Sequence, residues 1–181
     1  MIHLFLDISS TCTGYVIADV ADKATILEAG AIWFAKGDSV AKKCQKIRDF
    51  IVDQAEYGIG DGPLTKVVFE RYSFNTKNPN GSLVCPQMQG AVMVGCEDIA
   101  AETDQIPPQT WRKNCGLKKK RHEDWKVVVQ DYFRSKWKLP EKIESNVTGN
   151  MRTTPSDYFD ALGVCEGYCR GLGLEVEFDS K

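Results

Sequence analysis

Four acidic side chains stand where a carboxylate is expensive unless it is used. Asp7 interrupts the apolar run Ile2–Ile8 at a point where the chain should still be covered, and Glu70 ends a second apolar run, 66–70 (KVVFE), in the same way. Burying such a charge is costly unless it is paired or bound to a metal. Asp157 and Asp160 open the last strongly helical stretch. Three of the four have ordinary alternatives. Asp7 can cap the Ser9-Ser10-Thr11 turn, Glu70 can end in solvent or pair with Arg71, and Asp157 falls at the capping-box position of Thr154-Pro155-Ser156-Asp157. Asp160, however, lies on the stripe 157, 160, 161, 164, 165, 168, 172, whose later members Ala161, Val164, Cys165, Tyr168 and Leu172 must face a sheet. If both strand ends and the helix start meet at one rim, like charges crowd together and protons or divalent cations must intervene. An all-oxygen donor set suits Mg²⁺, with Mn²⁺ as a substitute. Two such ions roughly 3.5 to 4 Å apart clamp the attacking and leaving oxygens of a phosphoryl transfer. The chemistry expected of Asp7, Glu70, Asp157 and Asp160 is therefore hydrolysis of a phosphodiester with two ions per site.

These residues need a scaffold, and 181 residues suffice for one domain, since cores stay single up to roughly 250 residues. A composition 43% hydrophobic and 27% charged excludes disordered and fibrous classes. The nearly continuous apolar run Ile2–Ile8 suits a central strand covered on both faces. Residues 13–20 and 24–34 are β-prone and joined by a turn around Asp22, which makes the opening a three-stranded meander. Val40, Cys44, Ile47, Ile51 and Ala55 recur at helical spacing over 39–57, and Gly58, Gly60, Gly62 and Pro63 end that helix. A strand at 66–70, a polar loop at 73–80 and a small-residue helix at 83–102 follow. After a short strand near Gln105 and Ile106 come helices at 109–115 and 122–137, a loop at 138–153 and a terminal helix from 154 to about 171. This order predicts an α/β fold over 1–174: a mixed sheet whose antiparallel three-strand meander is followed by parallel strands, with helices on both faces. Residues 175–181 read as an acidic tail.

The net charge of −2 offers no global attraction to polyanions, yet 111–126 holds seven basic and two acidic side chains. That local +5 leaves −7 for the rest of the chain, the segregation expected of a polyanion-binding face; a solvated helix connection is the alternative. Arg112, Lys113, Lys118, Lys119, Lys120 and Arg121 are the candidate backbone contacts. Trp125, Val128, Val129, Tyr132, Phe133 and Trp137 form an apolar stripe suited to core packing. Seven cysteines without CxxC pairing and two distant histidines argue against a disulfide framework or zinc centre, and Cys165 and Cys169 read as small buried hydrophobes. No secretory signal is visible, and the uncharged span 78–96 is too polar to cross a membrane, so a cytoplasmic protein without membrane partners is expected.

LFLDISSTCTGYVI (4–17), VVFERYSF (67–74), PPQTWRKNCGL (107–117) and SDYFDALG (156–163) together resemble, in order and spacing, the RuvC family of Holliday-junction resolvases. The likeness runs from the first strand to the terminal helix. It implies an RNase H-like fold and a homodimeric endonuclease that makes paired nicks in four-way DNA junctions with Mg²⁺ and without a nucleotide cofactor. Asp7, Glu70, Asp157 and Asp160 fall on the family's metal-binding acids, and some relatives carry His at the position of Asp157. Tyr72 and Phe74 flank the place of the family's aromatic wedge, with Phe74 preferred. Asp7-Ile8-Ser9-Ser10-Thr11 departs from the DPG of many relatives, and the stretch before Trp111 is shorter than in many bacterial members. Both departures point to a divergent viral or organellar branch, acting in a host-cell interior or organelle matrix. The residues also admit another RNase H-like nuclease, such as one cutting RNA in hybrids, a transposase-like strand transferase, or a catalytically silent junction binder. An actin-like ATPase fits the strand-end Asp and Gly14, but that fold needs two such domains and no second Gly-rich loop is present.

Overall fold

The computed structural model describes residues 1–58, 60, 62–72 and 81–179. Strands β1 (Ile2–Ile8), β2 (Cys12–Val20) and β3 (Ala24–Trp33) form the antiparallel meander. β4 (Leu64–Glu70) pairs in parallel with β1, and β5 (Glu102–Ile106) in parallel with β4. Helices α1 (Val40–Tyr57) and α2 (Gly81–Asp98) pack on one face, and α3 (Pro108–Asn114), α4 (Trp125–Lys136) and α5 (Ser156–Gly171) on the other. The mixed sheet with helices on both faces is as the sequence predicts.

The apolar run of β1 is continuous because alternate side chains enter different cores. Leu4 and Leu6 join the layer under α1 and α2, with Ile47, Ile51, Met88 and Val92. Phe5 joins the layer under α5, with Phe159, Leu162 and Cys165. Each fully buried Leu or Phe contributes on the order of 2 kcal/mol by removal from water. The same alternation governs β4, where Val67 and Phe69 face α1 and α2 while Val68 faces α5. Strand parity then puts Asp7, two residues beyond Phe5, and Glu70, two beyond Val68, on the α5 face. Leu6 is paired with Phe69, so the two acids leave adjacent strands side by side.

Three expectations are corrected. Residues 138–153, expected as a loop, carry a hairpin of β6 (Lys142–Glu144) and β7 (Met151–Thr153). The expected tail at 175–181 instead supplies β8 (Val176–Phe178), which pairs in parallel with Ala24–Ile26 and completes the sheet order β5-β4-β1-β2-β3-β8. Its acidic composition hides an alternation in which Val176 and Phe178 turn inward; Phe178 meets Trp137 at 5.7 Å, and Glu177 pairs with Lys23. Finally, α5 is buried nearly all round rather than along one stripe, because α3 and α4 cover the side turned away from the sheet; Leu172, placed on the stripe, is exposed. Among the described residues no helix is long and apolar enough to cross a membrane.

Candidate active site

Asp157 reaches the two strand acids because β2 is thin where α5 crosses it. Gly14 is paired with Asp7 across the meander, and a Cβ on Gly14 would lie 1.9 Å from the Asp157 carbonyl oxygen. Only hydrogen at that position lets the first turn of α5 rest on the sheet beside Asp7. Pro155 occupies the N-cap without a side-chain cap, so Asp157 is not closing a capping box. The Ser9 hydroxyl donates to the Cys12 carbonyl at 2.7 Å and stands near enough to Asp157 to oppose the rise of its carboxyl. Asp160 follows three residues on, the spacing that returns a side chain to the same helix face.

All four acids are pushed above the usual carboxylate range, with burial as the largest cause in each. For Asp7 the charges of Glu70, Asp160 and Asp157 add to burial, against the opposing Arg112. Asp160 rises to about 7, through burial and then Glu70 and Asp157, opposed by Arg112 and Lys126. Glu70 rises less freely because the Trp111 indole N–H donates to its Oε2 at 2.6 Å and Arg112 stands near. Gln89 holds the same residue's backbone through its carbonyl at 2.8 Å. Trp111 is itself seated against α5, where a Cβ on Gly163 would lie 2.4 Å from its ring.

The structure thus brings Asp7, Glu70, Asp157 and Asp160 into one interacting group at the end of the sheet. Among the described residues, however, no group of three or more His, Cys, Asp or Glu side chains is arranged to hold a metal ion as it stands. The donor set nonetheless suits a hard cation: it is all oxygen, half-buried, and among the described residues no ion pair neutralises any of the four.

Of the six basic candidates, Arg112 joins this group. Its guanidinium lies 4.8 Å from the Trp111 ring and 5.0 Å from the Trp125 ring, and its shielded Nε has no hydrogen-bond partner among the described residues. Lys126 also acts on Asp157 and Asp160, a role that sequence reading did not single out. Lys113, Lys118, Lys119, Lys120 and Arg121 are exposed. Lys118, Lys119 and Lys120 line a groove of about 660 Å³ that adjoins, through Gly116 and Leu117, one of about 360 Å³ beside Arg112 and Trp125. Lys119 is tied to the Glu123 carbonyl and Lys120 to its carboxylate. Tyr72 is partly buried just past β4, whereas Phe74 lies outside the described residues. Of the Trp125–Trp137 stripe, Val129 and Phe133 are buried and Tyr132 and Trp137 pack against that core, whereas Trp125 and Val128 line the two grooves; Cys165 and Cys169 are buried as well.

No protein-family model matches the sequence, and no curated protein matches it. Solved structures do. The RuvC of Thermus thermophilus is similar with a TM-score of 0.67 at 16% identity, covering 96% of each chain. A second structure of that protein, in complex with a Holliday junction substrate, gives 0.65 at 14%. The fowlpox virus resolvase, solved with Holliday junction DNA, gives 0.61 at 15% identity over 95% of this chain and 99% of that one. The yeast mitochondrial Holliday junction resolvase Ydc2 gives 0.57 at 11%, over 93% and 77%. At these identities the likeness establishes architecture, and that architecture is the RNase H-like fold.

Proposed function

We propose that this chain is a divalent-metal-dependent endonuclease that resolves four-way DNA junctions by paired nicks, as a divergent relative of the resolvases it resembles in fold. The observation that carries the reading is the meeting of Asp7, Glu70, Asp157 and Asp160, from two strands and a helix, at one half-buried end of the sheet. Magnesium held by these four would supply Lewis-acid activation of water and neutralise charge on the scissile phosphate. The chain's own groups do the rest. Trp111 fixes the Glu70 carboxylate through its N–H. Arg112 and Lys126 bring positive charge to the same place, where a phosphate needs it, and the two indole faces limit where the Arg112 guanidinium can swing. The lysines of 118–120 and Arg121 add sequence-independent backbone contacts, with Tyr72 and Phe74 at the junction centre.

A homodimer is part of this reading, since symmetric nicks need two sites. Leu83, Met93 and Val94 of α2 are exposed, an apolar surface suited to a second copy. The test is cleavage of end-labelled four-way junction, linear duplex and RNA–DNA hybrid side by side in Mg²⁺. Paired nicks confined to the junction support the proposal. Preferential cutting of hybrid would move the protein to another nuclease of the same fold, and binding of junctions without cutting would make it a silent binder.

A further inference from the structure

The turn at 9–11 that leaves β1 just after Asp7 also walls a separate groove of about 700 Å³ between β3, the start of α1 and the β6–β7 hairpin. Lys36, Lys43 and Arg152 line it together with Trp33, Phe34 and Asp38. Lys43 donates to the Ser10 carbonyl at 2.6 Å and stands 5.8 Å from the Phe34 ring centre; the Arg152 guanidinium stands 5.2 Å from that of Trp33. Asp38 does not offset these charges, because Lys46 and Lys42 already hold it at 2.7 and 3.1 Å. Among the described residues the Trp33 indole N–H is shielded from solvent and has no partner. The hairpin is fixed to β3 by Asn146, whose side chain accepts from the Trp33 backbone N–H at 2.7 Å and donates to its carbonyl at 3.4 Å. That places Arg152 and Trp33 on one wall in a set relation.

We propose that this groove binds the sugar-phosphate backbone of a DNA arm beyond the cutting site, with Lys36, Lys43 and Arg152 as phosphate contacts. The inference rests on the nuclease reading above. A cationic groove with planar side chains under its cations suits a polyanionic strand, and such contacts set the position of the duplex without reading its sequence. The Ser9–Ser10 turn joins this groove to the acids, since Ser9 meets Asp157 and Ser10 meets Lys43. A strand seated here is held in register with the carboxylates.

The test is the dissociation constant for a four-way junction, in EDTA and across 0.05 to 0.3 M salt, for wild type and the Lys36→Ala/Arg152→Ala variant. Both side chains are exposed, and a thermal unfolding scan checks that the variant folds. Each lost phosphate contact lowers the salt slope by roughly 0.9, so two lower it by about 1.8 and weaken binding by up to about 60-fold near 0.1 M. The charge-matched control Lys23→Ala/Lys66→Ala, at the other end of the sheet, should keep the wild-type slope. A variant with wild-type affinity and slope overturns the groove and leaves the nuclease reading standing, as does a control that falls as far as the variant. Wild type that binds no branched DNA removes both.

Discussion

Replacing Asp160 by Asn should make the metal-free protein more stable above neutral pH, by an amount set by the side chain's burial. In the folded chain its carboxyl titrates near 7, against 3.8 in its ordinary surroundings, with burial as the main cause and Glu70 and Asp157 adding to it. Between those values the folded state keeps a proton that the unfolded chain has released, so stability falls as pH rises across that window. At roughly 1.4 kcal/mol for each tenfold change in proton affinity, the rise from 3.8 to about 7 gives a ceiling of about 4 kcal/mol, reached only above pH 7. Asp160 retains some exposure and an amide must also be desolvated, so about 2 kcal/mol is expected at pH 8 and less than half of that at pH 5. Urea unfolding in EDTA at both pH values measures it. Magnesium should then stabilise wild type at pH 8 more than the variant, since it substitutes for the missing protons. A variant no more stable than wild type at pH 8, or a gain larger at pH 5, would refute the reasoning.

Three further outcomes follow from the same geometry. Trp111→Phe keeps most of the ring against α5 but removes the donor to Glu70; a loss of about 1 to 3 kcal/mol in chemical unfolding is expected, with weaker metal binding by calorimetry. Gly14→Ala drives a Cβ into the Asp157 backbone, so a fall in thermal midpoint should come with lost nicking, while Ala18→Gly, on the same strand face, should lower stability without abolishing it. Glu166→Gln removes the charge that Lys136 and Arg170 hold at 2.8 Å from inside the core; because both cations keep some solvent, a loss of about 2 kcal/mol in urea unfolding is expected, with nicking retained.

Much of the scaffold can be read from residue order, because a strand covered on both faces and an amphipathic helix leave opposite periodicities. The apolar run of β1 and the 3–4 spacing in α1 are such cases, and the misplaced charges of Asp7 and Glu70 stand out against them. Short elements with polar sequences do not announce themselves. KIE and MRT carry one apolar residue each, so the β6–β7 hairpin is held by pairing and by Asn146 rather than by a hydrophobic face. β8 is likewise hidden by its flanking acids. Contacts that join distant residues leave no local pattern either: Trp111 meets Glu70 from 41 positions away, and Arg112 lies between Trp111 and Trp125 only once α3 and α4 have packed. Gly14 was a signal in plain view, since a glycine inside a β-prone run marks a close backbone approach.

The most direct measurement is the response of Asp7→Asn to a labelled four-way junction in Mg²⁺. Asp7 is the acid on which the other three act together, and the amide keeps its shape while removing its charge. The account predicts symmetric nicks from wild type that EDTA abolishes, and from Asp7→Asn binding of the junction with cutting reduced at least a thousandfold, on the order expected for loss of a metal-holding acid. Unimpaired cutting by Asp7→Asn, or by wild type in EDTA, would contradict it.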